Sequence, residues 1–161
     1  MAEPSAYSLS TLLSDLTGCK VSVTQASVPP PTKNKQMFGI YKLVNSDAPI
    51  IVQADLALLA SMAGVLVGLP DTAVKERLVA PELDELLRDA VHELLNIVST
   101  DVSIEGRAVF LRMTPDPAYV DGAAGLLLRK PGRRHYFTVQ VDGYQGGRLA
   151  IFSPLLIPVL V

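Results

Sequence analysis

Hydrophobic residues recur at helical spacing most clearly between Pro81 and Thr100. Wound at about 100° per residue, PELDELLRDAVHELLNIVST gathers Leu83, Leu86, Leu87, Ala90, Val91, Leu94, Leu95, Ile97 and Val98 into one broad arc. That arc predicts a face turned to the core. Glu82, Glu85, Asp89, His92, Glu93 and Asn96 fall in the opposite arc, where Glu93 and Asn96 stand one helical turn apart as surface neighbours. Pro81 suits a first turn, and Glu82, Asp84 and Glu85 sit where the positive end of the helix dipole favours anions. The spacing therefore predicts an amphipathic helix whose wet face shows a carboxylate beside a carboxamide.

The same periodicities divide the rest of the chain. Leu9, Leu12, Leu13 and Leu16 predict a short first helix over Tyr7–Leu16, stopped by Thr17-Gly18, with residues 1–6 expected to lack order. Lys20–Gln25 alternates as a strand, and SVPPPTKNKQ reads as an exposed connection, because consecutive prolines remove backbone donors. Met37–Leu43 and Pro49–Ala54 form a predicted hairpin around Val44-Asn45-Ser46-Asp47. Asp55 is placed to cap a helix over Leu56–Val67 that is apolar almost all round, so it should be buried on several sides, by the sheet, a neighbouring helix or a second subunit. DTAVKERLVA reads as a linker into the amphipathic helix. Beyond that helix, Asp101–Met113 alternates as one strand or two, with Gly106 at a bend, and TPDPAYVDGAAG reads as a loop. Leu126–Leu128, Tyr136–Val141 and Arg148–Ser153 read as three further strands, and Pro154 and Pro158 confine the apolar tail 154–161 to an edge strand or a strap.

The pattern amounts to one α+β domain over 1–161: two central helices on an antiparallel sheet of about six strands, with an N-terminal helix alongside. Composition adds mainly exclusions. Fourteen basic against 16 acidic side chains leave a net charge of −2, which offers no global field for nucleic acid or an anionic membrane. Leu56–Leu69 is too short to span a bilayer, and MAEPSAYS lacks the basic flank and apolar run of a signal peptide. With Cys19 as the one cysteine, no internal disulfide is available, and the expectation is a soluble protein of the reducing cytoplasm.

Candidate chemistry is sparse. The chain has no glycine-rich phosphate loop, no paired Cys/His ligands and no HExxH, so neither a metal site nor a cofactor of its own is expected. His92 and His135 stand in different settings, with no serine arranged beside either as a nucleophile. Arg129, Lys130, Arg133 and Arg134 match phosphate geometry but read first as a solvated hairpin turn.

Glu93-Leu94-Leu95-Asn96 remains, and on it the chain resembles the chemotaxis phosphatases of the CheC and CheX type, whose signature is E-x-x-N on an exposed helix. The surroundings carry the resemblance over roughly Tyr7–Gly122: a helix ending in TG before KVSV, the hairpin GIYKLV and IIVQAD, an apolar helix closing in LVGLP, and the TPDP turn. A single E-x-x-N is closer to the CheX type than to CheC-like members, which commonly carry two. The resemblance implies hydrolysis of the aspartyl phosphate on a CheY-like response-regulator receiver, which itself supplies the phosphoaspartate and Mg²⁺. It implies that Asn96 orients the attacking water and that Glu93 pairs with the receiver's active-site lysine; Asp89 and His92, on the same wet face, are expected as rim residues of the docking contact. A homodimer is expected, through a sheet edge or the small residues of Leu56–Val67. Two alternatives stand beside this: the same fold, catalytically silent, docking on a receiver or a flagellar-switch-like partner, and a self-associating scaffold whose interface is the apolar helix and the tail.

Overall fold

Successive side chains of a strand point to opposite faces of its sheet, and here that alternation sorts the core into two unequal halves. The computed structural model describes residues 4–29, 33–102 and 107–155. In chain order the elements are α1 (Ala6–Thr17), β1 (Val21–Ala26), β2 (Gln36–Leu43), β3 (Pro49–Asp55), α2 (Leu56–Val67), α3 (Asp71–Leu78), α4 (Glu85–Val102), β4 (Ala108–Thr114), a 3-10 turn (Pro117–Tyr119), α5 (Gly122–Arg129), β5 (Arg133–Val141) and β6 (Gly147–Ser153). The strands form one six-stranded sheet in the order β1-β5-β6-β3-β2-β4, with every pair antiparallel. β1 and β4 are its edges.

Met37, Tyr41 and Leu43 of β2, Ile50, Val52 and Ala54 of β3, and Leu149 and Ile151 of β6 point to one face, into the main core beneath α1, α2 and α4. Their alternates Phe38, Ile40, Ile51, Ala150 and Phe152 form a second, smaller core with Val120 and with Ala124 and Leu127 of α5. The architecture is thus α+β as expected, with an additional helix on the far face of the sheet.

Local chemistry sets the boundaries. The Ser5 hydroxyl accepts from the Ser8 N–H at 3.0 Å and opens α1 at Ala6, one residue before the expected start; residues 1–3 lie outside the described range. Gly18 (φ 71°) and Gly68 (φ 78°) take the left-handed conformation that closes α1 and α2. Asp55, at the N-cap position of α2, does not cap it: its carboxylate accepts from Gln36 Nε2 and from the Arg148 N–H, tying β2 to β6. α2 itself is buried along Leu58–Gly64 by α1, α3, α4 and the sheet. Its small residues are therefore spent inside the molecule: Ala60, Ala63 and Gly64 are buried, and a Cβ on Gly64 would run into Val74 of α3. Of the small residues on this helix, only Ala57 is half-exposed.

Three stretches differ from the sequence reading. DTAVKERL is helix α3, held by a dipole-matched charge order of Asp71 first and Lys75 and Arg77 last, and by the single buried Val74. Leu126–Leu128 is not a strand but part of α5. Gly125 lets that helix approach the Val120 carbonyl, and Ala124 and Leu127, one turn apart, both face the sheet. Asp101 and Val102 belong to α4 rather than to a strand, Ser8 Oγ donates to Asp101 Oδ1 at 2.8 Å, and β4 begins at Ala108; the expected bend at Gly106 lies outside the described residues. Pro154 and Leu155 follow β6, and the remainder of the apolar tail also lies outside them.

Candidate functional site

The wet face of α4 exists because its dry face is clamped. Leu87, Ala90, Val91, Leu94, Leu95, Val98 and Val102 are buried at helical spacing, and each fully buried aliphatic side chain contributes roughly 1.5–3 kcal/mol. Gly39 of β2 leaves room for the Leu95 side chain, which a Cβ there would meet at 3.3 Å. Beside it the buried Tyr41 hydroxyl donates to the Leu95 carbonyl at 2.5 Å. Burial pushes the Tyr41 phenol far above its ordinary range, so it stays a donor.

The start of α4 is fixed by Asp84, not by Pro81 and Glu82, which precede the helix. Asp84 Oδ1 accepts from the Leu87 N–H at 3.0 Å and Oδ2 from Arg77 Nη1 at 2.9 Å. The backbone bond from Leu87 leads the causes that hold this carboxyl below its usual range, with Arg77 adding to it. α3, missed in the sequence, thereby anchors α4 at its first turn. Leu86, assigned to the core by periodicity, is exposed instead, because it lies two turns before Glu93 on the outer face.

With rotation and start both fixed, Glu93 and Asn96 project from the outer face, exposed, with no side-chain hydrogen bond or ion pair among the described residues. The structure therefore brings together the two residues singled out as the working pair. Asp89, one turn before Glu93, is exposed and lines a shallow surface with Arg77, Asp84, Glu85 and Leu86. His92 is exposed but not idle: its ring meets Phe110 of β4 edge-on, with centroids 4.8 Å apart. Arg129, Lys130, Arg133 and Arg134 stand at the turn between α5 and β5, reached from the opposite face of the sheet, and do not join the site.

One feature escaped the sequence reading. Between α4 and edge strand β4 runs a groove of about 380 Å³ lined by Asn96, Ser99, Thr100, Arg107, Ala108, Val109 and Phe110. Asn96 stands on its rim. No linear pattern could have announced it, since its walls come from two elements, α4 and β4, that meet only in the folded chain. Chemically, the site has a carboxamide that can both donate and accept and a carboxylate that can accept, with the Ser99 and Thr100 hydroxyls further along the groove, the latter donating to the Ile97 carbonyl at 3.1 Å. Among the described residues no group of three or more His, Cys, Asp or Glu side chains is placed to hold a metal ion. Nor is any described helix long and apolar enough to cross a membrane.

No protein-family model matches the sequence, and comparison with the curated proteins finds no significant match. Solved structures do match the fold. The middle domain of FliM from Vibrio alginolyticus superposes with a TM-score of 0.63 at 13% identity, covering 92% of this chain and 88% of that one. FliM in the FliM–SpeE complex from H. pylori gives 0.65 at 13% identity over 92% and 81%. A CheC-like superfamily protein from Shewanella sp. PV-4 gives 0.52 at 12% identity over 92% and 94%. The chain thus has a CheC-like fold, one that the FliM middle domains share.

Proposed function

We propose that this protein is a phosphatase acting on the aspartyl phosphate of a CheY-like response-regulator receiver. The observation that carries the reading is the pair Glu93 and Asn96, exposed one turn apart on a helix whose opposite face is locked to the sheet. The CheC-like fold supports it, as does the E-x-x-N signature placed on the outer surface rather than in the core.

The receiver brings the phosphoaspartate and a Mg²⁺ that neutralises phosphoryl charge, so the phosphatase needs to add only positioning. The Asn96 carbonyl accepts a hydrogen bond from the attacking water and its NH₂ donates to a phosphoryl oxygen, orienting the water in line without bringing a charge that would repel the phosphate. Glu93, one turn away, pairs with the receiver's lysine and fixes the register of docking. Asp89 and His92 flank them as rim residues, His92 with its ring held against Phe110. A homodimer would use a sheet edge, β1 or β4, since α2 is enclosed.

Phosphate release from receivers of the source organism, driven by acetyl phosphate and Mg²⁺, tests this directly. The protein should accelerate release from at least one receiver, and Glu93→Ala should raise KM more than it lowers kcat. No acceleration with any receiver would refute the reading. A second reading has its own support: the same fold occurs in FliM bound to SpeE, a protein partner. A silent docking domain predicts binding to the receiver with no change in the lifetime of its phosphate.

A further inference from the structure

The charges on the α4 side of the molecule are sorted, and the groove beside Asn96 divides them. Glu85, Asp89 and Glu93 follow one another at i, i+4 spacing along the outer face of α4, all exposed. None makes an ion pair among the described residues. Like charges at that spacing repel one another by a few tenths of a kcal/mol each, and the cations nearest the stripe, Arg77 and Arg88, lie at its Glu85 end, with Arg77 already paired to Asp84. Across Asn96, at the start of β4, stands Arg107. Among the described residues it is the one charged residue lining the groove, it is exposed, and it makes no ion pair. Its backbone is fixed, because the Arg107 carbonyl accepts from the Val44 N–H at 2.8 Å. A guanidinium on a pinned strand end loses less freedom on pairing than one on a free loop.

Asn96 therefore sits at a boundary, with carboxylates on one side and a single cation on the other. Resting on the receiver reading above, we infer that Arg107 is a specificity-determining residue. In this inference it pairs with a carboxylate on the surface of the docked receiver, while the half-buried Phe110, which faces α4, lines the apolar part of the same contact. The reason is geometric. A partner that presents a cation to Glu93 can still rotate about that contact, whereas a second contact of opposite sign on the far side of Asn96 fixes the rotation and penalises the reversed pose. The carboxamide is then carried to the acyl phosphate in one orientation. Arg107 acts by positioning; it does not touch the reacting atoms.

The test uses a CheY-type receiver whose phosphate the wild-type protein releases, with binding measured by calorimetry with and without beryllofluoride and Mg²⁺, and KM and kcat measured for the same pair. Arg107→Glu should raise Kd and KM by about tenfold or more and leave kcat within about twofold, with Arg107→Lys intermediate. The loss of affinity should be the same with and without beryllofluoride, and the salt dependence of Kd should flatten in Arg107→Ala. An unchanged KM and Kd in Arg107→Glu, alongside an inactive Asn96→Ala, would overturn the inference and leave the phosphatase reading standing. A defect confined to the beryllofluoride state would also overturn it, by assigning Arg107 to the phosphoryl group. Failure of the wild-type protein to bind or hydrolyse any receiver would remove the phosphatase reading, and the inference with it.

Discussion

α2 and α4 pack against each other over the same face of the sheet, yet they are opposite kinds of helix. α2 is enclosed by α1, α3, α4 and strands, so Leu58 to Gly64 are buried without a break and only its two ends, Leu56–Ala57 and Val65–Val67, are partly open. α4 lies at the margin, over β2 and the edge strand β4, so only one stripe of it is buried and the other stays wet. Position in the sheet order, more than helix propensity, separates the helix that holds the fold from the helix that can act on something else. A substitution in the first should register as stability. On the outer face of the second it should register as activity.

The contrast has graded consequences. Leu59→Ala in α2 and Leu95→Ala on the inner face of α4 should each cost about 2–5 kcal/mol in urea unfolding, because both side chains are fully buried. Asn96→Ala, next in sequence to Leu95 but facing out, should change stability by less than about 1 kcal/mol. A large loss at Asn96 would abolish the distinction between the two faces. Tyr41→Phe should cost about 1 kcal/mol by deleting the bond to the Leu95 carbonyl. It should also change the alkaline limb. The Tyr41 phenol is raised in the folded state, so its contribution is intact below the unfolded value of about 10 and is lost as pH rises past it. The variant should therefore unfold less steeply with pH above that point. Asp84→Ala should cost about 1 kcal/mol by uncapping α4. Because that carboxyl is lowered in the fold, its stabilisation is present above the unfolded value of about 4 and lost as pH falls. Melting temperatures of wild type and variant should therefore converge in acid.

Much of this was legible in the chain, and what was not has identifiable causes. The arc of α4 could be read because burial on one side imposes a period of about 3.6 on every residue, and Leu56–Val67 because Gly68 stops it cleanly. α3 was hidden by having one buried residue, Val74, which leaves no period to see; only its charge order betrayed it. α5 was hidden by Gly122 and Gly125, which signal a loop in isolation; here Gly122 takes a left-handed φ of 60° at the helix start, and Gly125 lets the helix lie close to the Val120 carbonyl. Asp55 looked like a cap and proved to be a tie between β2 and β6, a role that depends on strands distant in sequence. Of the candidate site, Glu93 and Asn96 were visible because a single helix carries them both. Arg107 and the groove were not, because they exist only once β4 is laid beside α4.

The decay of the acyl phosphate on a purified receiver, followed in a single turnover with Mg²⁺ alone, with the wild-type protein and with Asn96→Ala, bears most directly on whether the wet face of α4 performs chemistry. Decay should quicken with the wild-type protein and return to the intrinsic rate with Asn96→Ala, while the two proteins unfold at the same urea concentration. Equal acceleration by both would show that the carboxamide is not the working group and would contradict the assignment of catalysis to Asn96.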